Sequence, residues 1–379
     1  MDAKYIIIGG GIGGLCTAIA LQRKGLEVKV YERVPKLIGL GAGLVLAPNA
    51  MKALYDIGIA EEVIAVARAM KVMGIRSRKG TWLSKNDMQY FANKRGYGNY
   101  TVHRGELHEA LLALLQPASL VEGKECVGIQ QSNRQVEVSF ADGSQAIAEY
   151  VIGADGIHSP VRRAIAPESK IRYAGYTCWR GIAENLALDE FSETWGENGR
   201  FGIVPLTKDR VYFFATKNAP QNDPQMANWT ADDLAANFKE YHEPIGKVLG
   251  ASMGMPLLWN DIIDLEPLKK YAYDRIVLTG DAAHATTPNM GQGACMAIVD
   301  AAALANCLSK NADPQIAFQR FEALRLARTH SIVNNSWRFG RMAQLENPLL
   351  SRLRNFALIA TPQKLGERQV ESLYEVDLG

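Results

Sequence analysis

The sequence predicts an α/β protein in which a parallel-sheet domain is interrupted by a mixed-sheet insertion and followed by C-terminal helices. Three observations carry that reading. An apolar, β-branched run at residues 4–8 passes through Gly9-Gly10-Gly11-Ile12-Gly13-Gly14 into an amphipathic stretch, Leu15 to Lys24, that Gly25 stops, which reads as strand, turn and helix. Two later apolar strands, Tyr150 to Gly153 and Arg275 to Thr279, each run into a turn carrying glycine and an acid. Between them, from about 171 to 271, the texture changes to strands rich in aromatic residues.

Taken in order, residues 27–31 alternate Glu-Val-Lys-Val-Tyr and end at Glu32, giving the second parallel strand of a βαβ unit. A helical pattern spans Asn49 to Ala69, and a polar, strand-like region follows from 71 to 99. Helical spacing returns at Arg104 to Leu115, then strands near 120–129 and 135–140 and a turn at Asp142-Gly143. The insertion holds strands at Tyr173 to Ile182, Phe201 to Leu206 and Val211 to Ala215, with a polar loop from Asn218 to Trp229. A small-residue helix at about 291–308 and further helices with Arg-rich faces between 320 and 354 complete the chain.

With 379 residues the chain has room for two or three domains of about 150 residues each. Its 42 basic and 40 acidic side chains nearly cancel, which argues against a dedicated nucleic-acid surface. Five cysteines, at 16, 126, 178, 295 and 307, are an odd number without a C-x-x-C pair, so neither a disulfide framework nor a metal site is expected. The run Tyr5 to Ile8 is too short for a signal peptide, and no stretch reaches the roughly 20 apolar residues of a membrane span. A soluble cytoplasmic protein is the expectation.

Gly9, Gly11 and Gly14 form G-x-G-x-x-G between strand and helix, where missing side chains allow the tight turn, close approach of a pyrophosphate and helix packing. The free N–H groups and dipole of the helix N-terminus attract the anion. Glu32, with Arg33 beside it, stands where an acid accepts hydrogen bonds from ribose hydroxyls. This unit does not separate FAD from NAD. Later segments do: Gly153-Ala154-Asp155-Gly156-Ile157-His158-Ser159-Pro160-Val161-Arg162, then Gly280-Asp281-Ala282-Ala283-His284, then Thr286-Thr287-Pro288-Asn289-Met290-Gly291-Gln292-Gly293-Ala294-Cys295.

In combination these segments resemble the flavin-dependent aromatic hydroxylases of the para-hydroxybenzoate hydroxylase type, over nearly the whole chain. The resemblance implies a Rossmann-like FAD-binding domain made of residues 1–70, 100–170 and 272–335, an inserted mixed-sheet substrate domain of 71–99 and 171–271, and a C-terminal helical segment, 336–379. It implies that Asp281 binds the ribityl chain of FAD, that Asp155 with Gly156 shapes FAD and NAD(P)H handling, and that Arg104, in Val102-His103-Arg104-Gly105-Glu106-Leu107, lies near the FAD backbone. The turn holding Pro288, Gly291 and Gly293 opens a helix, so its backbone donors are placed to stabilise negative charge on reduced flavin. The family often carries an acid just before Asp300; here Val299 stands there. His284 and Cys295 read as packing residues.

No second G-x-G-x-x-G and no redox disulfide is present, so NADPH or NADH is expected as a transient co-substrate. On the substrate side, alternation along 199–206 and 210–215 suggests a sheet placing Tyr212 and Arg200 over the flavin, with Phe214 and Ile203 as apolar walls. Arg200 and Tyr212 resemble positions used by bacterial FAD-dependent urate hydroxylases, and the same segment is equally similar to relatives of salicylate hydroxylase and zeaxanthin epoxidase. The implied function is an NAD(P)H-consuming monooxygenase that uses molecular oxygen, through a C4a-hydroperoxyflavin, to hydroxylate a small electron-rich aromatic or heteroaromatic substrate. Epoxidation, reduction or halogenation on the same scaffold, and a non-catalytic relative resembling Rab escort proteins, remain alternatives. The C-terminal helices, including Trp337 to Arg341, cover the cofactor domain, form a homodimer contact or are solvated on a monomer.

Overall fold

The computed structural model describes residues 2–36 and 42–379. Its eight-stranded sheet runs Ala272–Tyr273, Ile276–Leu278, Gln145–Gly153, Ala3–Ile8, Val28–Tyr31, Leu120–Val121, with Val136–Phe140 and Cys126–Gln131 added antiparallel beyond Gln145–Gly153. The four contacts among the five strands from Ile276–Leu278 to Leu120–Val121 are parallel. Strands such as Tyr5 to Ile8 and Val151 to Ile152 are buried on both faces, as a parallel sheet covered by helices requires. Helices Ile12–Arg23, Pro48–Ile57 and Pro314–Ala343 all pack on Gly293–Lys310. That last helix is apolar and long enough to cross a bilayer, yet Cys295 through Leu308 are all buried in this core.

A seven-stranded sheet runs Leu258–Leu265, Ile171–Ala183, Val211–Asn218, Gly199–Pro205, Phe191–Gly196, Val72–Ser77, Trp82–Asp87. It is mixed, because Phe191–Gly196 pairs parallel with Val72–Ser77 while its other pairings are antiparallel. Alternation sends Phe201, Ile203, Phe213 and Ala215 to one face, where they pack under helices Ala231–Phe238 and Ile245–Gly250. A small sheet of Gly43–Leu46, Tyr100–His103 and Ala67–Ala69 lies apart from both.

Several sequence expectations need correction. The single helix over Asn49 to Ala69 is instead two, Pro48–Ile57 and Ala60–Ala65, separated at left-handed Gly58, and Ala67–Ala69 is a strand. The strand near 120–129 is two short strands in different parts of the sheet. The polar region 71–99 ends in the helix Met88–Arg95, capped by the Asp87 carboxylate accepting from the Gln89 and Tyr90 N–H groups. The helices at 231–250, within the aromatic-rich stretch, had no counterpart in the strand-like reading.

One buried charge cluster binds the second half of the chain to the parallel sheet. Asp300, fully buried, accepts from the Gly280 N–H (2.9 Å), His284 Nε2 (2.6 Å) and Arg325 Nε (2.7 Å). Burial by itself raises its pKa, but the His284 and Arg325 charges and the hydrogen bonds prevail and hold it down at about 2. Because the folded value lies below the ordinary 3.8, the stabilisation is complete above that value and is lost as pH falls toward about 2. Asp300→Asn leaves Arg325 buried without its carboxylate and is expected to cost about 3–5 kcal/mol at neutral pH. Urea titrations of wild type and variant check this: the gap between them should narrow on acidification, and a gap that stays constant through that window would contradict the assignment.

Candidate active site

Parallel register brings the motifs together. Ile8 lies opposite Tyr31 and Gly153, and Gly153 lies opposite Leu278, so four strands end level with one another. The ladder continues one residue beyond, with the N–H groups of Gly9, Ala154 and Thr279 donating to Tyr31, Ile8 and Gly153 carbonyls. The glycine turn, Glu32, Asp155 and Gly280-Asp281 therefore emerge along one edge, the crevice at which open α/β sheets bind ligands.

The three motif glycines are required for different reasons. A Cβ on Gly9, at φ +107°, would lie 2.4 Å from the Ala154 carbonyl oxygen, and one on Gly14 would lie 1.9 Å from the Gly9 carbonyl oxygen. These two serve the fold. A Cβ on Gly11 would meet nothing within 4 Å, so its absence keeps space open in front of helix Ile12–Arg23. That helix has no capping side chain and no acid in its first turn, leaving its N-terminal N–H groups available to an anion. His108, which sequence reasoning passed over, holds the turn from behind through Nε2 to the Gly10 carbonyl at 2.8 Å.

Glu32 accepts from the Gly10 N–H at 2.6 Å and the Val34 N–H at 2.9 Å, one bond on each oxygen, which leaves acceptor sites on both. Arg33 is exposed beside it. Asp155 Oδ2 accepts from the Val161 N–H, while Oδ1 is buried with no partner among the described residues. Burial raises the Asp155 pKa despite the hydrogen bonds from Ser159 and Val161. Asp281 is hemmed in by protein yet its side chain is solvent-accessible, which makes it a wall of the crevice. Burial raises its pKa, opposed by His284 and Arg104 and reinforced by Asp300. Arg104, at the start of helix Arg104–Leu114, is exposed and its charge is felt by both Asp281 and Tyr212.

Pro288 opens a 3-10 turn, Pro288–Met290, and Gly291 takes φ +62° before helix Gly293–Lys310 begins at Gly293. Gln292 precedes that helix with no side-chain cap, so a second uncapped N-terminus faces the site. Cys295, one turn in, is a buried thiol pushed up to about 11 by burial; it accepts from the Ala47 N–H and donates to the Val45 carbonyl. Asn289 is the junction. Its Oδ1 accepts from Tyr176 Oη and Arg200 Nη2, both at 2.9 Å, and its Nδ2 donates to Thr287 Oγ1 and the Ser336 carbonyl. Gly340 permits this, since a Cβ there would lie 2.3 Å from Nδ2.

The same alternation that buries Ile203 under helices turns Arg200, Gly202 and Val204 to the opposite face of the seven-stranded sheet, with Tyr212, Phe214 and Thr216 across from them. Ile203 is thus not a wall of this face, a correction that strand parity explains. Arg200 is not a surface cation: it is buried and bonded to Glu193, Gln344 and Asn289. Phe214 occupies the space above Gly202, where a Cβ would lie 2.0 Å from its ring. Tyr212 packs on Gly43, and its hydroxyl is reached by Arg180, a half-buried cation that also donates to Asn260 Oδ1 at 3.3 Å. No carboxylate among the described residues pairs with Arg180. Burial raises the Tyr212 pKa, against Arg180 and Arg104, so the phenol keeps its proton. Arg180 and Asn260 escaped sequence reasoning, because which strand lies beside which was not legible there.

The open cradle at Gly11, two uncapped helix N-termini, and the unpartnered buried oxygens of Asp155, Asn49 and Thr286 fit an anionic dinucleotide carrying a polar, flat ring system. Comparison with known proteins agrees. Residues 2–336 match the FAD binding domain family. The chain is 36% identical over 345 residues to aurachin C monooxygenase/isomerase of Stigmatella aurantiaca, covering 90% of each, and 33% identical over 342 residues to 3-amino-4-hydroxybenzoate 2-monooxygenase of Streptomyces cremeus, covering 87% and 85%. It superposes on Klebsiella pneumoniae HpxO complexed with FAD and uric acid with a TM-score of 0.90 at 28% identity, covering 98% of this chain and 96% of that one. A level edge of strand ends, a glycine cradle and whole-length similarity to flavin monooxygenases thus converge, and the chain belongs to the FAD binding domain family as an FAD-dependent monooxygenase.

Proposed function

We propose that this enzyme hydroxylates a small, electron-rich aromatic or heteroaromatic molecule bearing an acidic hydroxyl or a carboxylate. NAD(P)H and molecular oxygen are consumed, one oxygen atom entering the ring and the other leaving as water. The observation that carries the reading is Arg180, a half-buried cation with no carboxylate partner among the described residues, set beside a protonated Tyr212 on the sheet face opposite the helices. A cation in such surroundings favours an anionic partner strongly. Bound FAD supplies the redox chemistry, passing two electrons from NAD(P)H to oxygen.

In this reading residues 1–70, 100–170 and 272–335 serve FAD, and 71–99 with 171–271 serve the substrate. Gly9, Gly11 and Gly14 cradle the pyrophosphate; Glu32 holds the ribose, with Arg33 at its outer rim; Arg104, Asp155, Gly280 and Asp281 line the extended middle of the cofactor. Pro288, Gly291 and Gly293 present backbone donors to the ring. Arg180 donates to the Tyr212 oxygen, which frees the phenol proton to donate to substrate, while Ile182 and Phe214 on the same face supply apolar contact. Arg200 is a positioning residue, acting through Asn289 on the flavin turn. The buried thiols of all five cysteines support work in a reducing cytoplasm.

Purified protein is expected to be yellow and to oxidise NADH or NADPH faster when an acidic aromatic compound is added, with the oxygenated product detected by mass spectrometry. A panel of hydroxybenzoates, salicylate, urate and hydroxyquinolones tests this; anaerobic reduction of substrate without oxygen incorporation would move the assignment to a reductase. Arg180→Gln should lower kcat/KM roughly 10- to 150-fold, the worth of a charge-assisted hydrogen bond of about 1.5–3 kcal/mol. The loss should appear for the ionised substrate and not for its neutral methyl ester or ether. Tyr212→Phe should lower kcat/KM with the flavin spectrum unchanged, and an equal loss of FAD affinity would assign Tyr212 to the cofactor instead.

A further inference from the structure

The helix Pro348–Ala360 is amphipathic in the reverse sense. Its inward side carries Ser351 and Arg354, both buried, and its outward side carries Leu349 (74% exposed), Leu353 (65%), Phe356 (69%) and Ile359 (58%); Leu350 of the same helix and Leu365 of the next, Gln363–Tyr374, are also exposed. Positions 349, 353 and 356 fall on one stripe of a helix with 3.6 residues per turn, and Ile359, three residues on, flanks it. The inversion has a definite cause on the inner side. Arg354 donates to the Met342 and Ala343 carbonyls, the unpaired C-terminal groups of helix Pro314–Ala343, and lies 4.9 Å over the Trp195 ring. Asn347 caps the helix through the Leu349 and Leu350 N–H groups.

The helix is therefore pinned by its polar side, and its leucines and phenylalanine add nothing to this chain's own core. A contiguous apolar patch of this kind marks an interaction surface. Charge selects the occupant. Arg352 of this helix, Arg338 and Arg341 near the end of the preceding helix, and Lys364 and Arg368 of the following one are exposed and form no salt bridge among the described residues; the acids between 338 and 368 are Glu346 and Glu367. A second copy meeting this face symmetrically would set one basic rim against another. An anionic lipid surface complements both features, with the apolar stripe entering the acyl boundary and Arg352 at its flank reaching the headgroups.

We infer that the outward face of helix Pro348–Ala360 docks this enzyme on an anionic membrane surface as a peripheral protein. FAD-loaded protein is mixed with sedimentable vesicles of phosphatidylcholine alone or of phosphatidylcholine with phosphatidylglycerol. The wild type should sediment with the anionic vesicles and be released by high salt. The double variant Leu353→Glu/Phe356→Glu should bind at least about ten-fold less while keeping the flavin absorbance and NAD(P)H oxidation in buffer, since both side chains are exposed and outside the proposed site. Wild type that stays in the supernatant or binds neutral vesicles equally, or a double variant that sediments as well as wild type, overturns the inference. Light scattering decides the rival: a dimer that the same double variant dissociates assigns the face to a second copy and also overturns it.

Discussion

Everything at the site depends on the level ending of four parallel strands. Parallel pairing fixes register through evenly spaced backbone bonds, and a one-residue slip would turn every side chain to the other face. Because Ile8, Tyr31, Gly153 and Leu278 share one level, residues from the first turn and from near position 280 meet at a single edge. Gly9 and Gly14 are hemmed in by backbone while Gly11 leaves open space, so the shape of the crevice is set by the strand ends and the turn that joins them to the helix.

Two polar junctions then tie the rest of the molecule to that edge. Asp300 joins the Gly280 turn to the long helix Pro314–Ala343 through Arg325, and Asn289 joins the turn after Pro288 to both Tyr176 and Arg200 of the seven-stranded sheet. The paired groups of the Asn289 side chain reach different elements, so the seven-stranded sheet and the turn after Pro288 cannot shift independently without breaking the bonds of this part-buried amide.

The βαβ unit, the two later glycine-acid turns and the aromatic character of the insertion were legible in the sequence because each is local: a short apolar run, a glycine at fixed spacing, an alternating strand. The assignment of Asn49 to Ala69 to one helix failed because Gly58 breaks it in the left-handed region and Ala67–Ala69 is recruited by Tyr100–His103, a partner thirty residues on. Arg180 and Asn289 were in plain view as residue types but not as neighbours of Tyr212 and Arg200, since long-range pairing decides that. Arg200 shows the opposite difficulty: its type and strand position suggested a side chain set over the flavin with Tyr212, whereas the tertiary structure surrounds it with Glu193, Gln344 and Asn289.

Gly202 has a wider implication. The Phe214 ring fills the volume that any larger residue at 202 would need, so a single methyl there would displace an aromatic plane instead of closing a void. The outline of this sheet face, the substrate wall of the proposed reading, is thus encoded on strands physically separate from the turns that shape the crevice. Under that reading, small substitutions in the sheet would change selectivity while leaving the strand-end crevice and its glycine turn untouched.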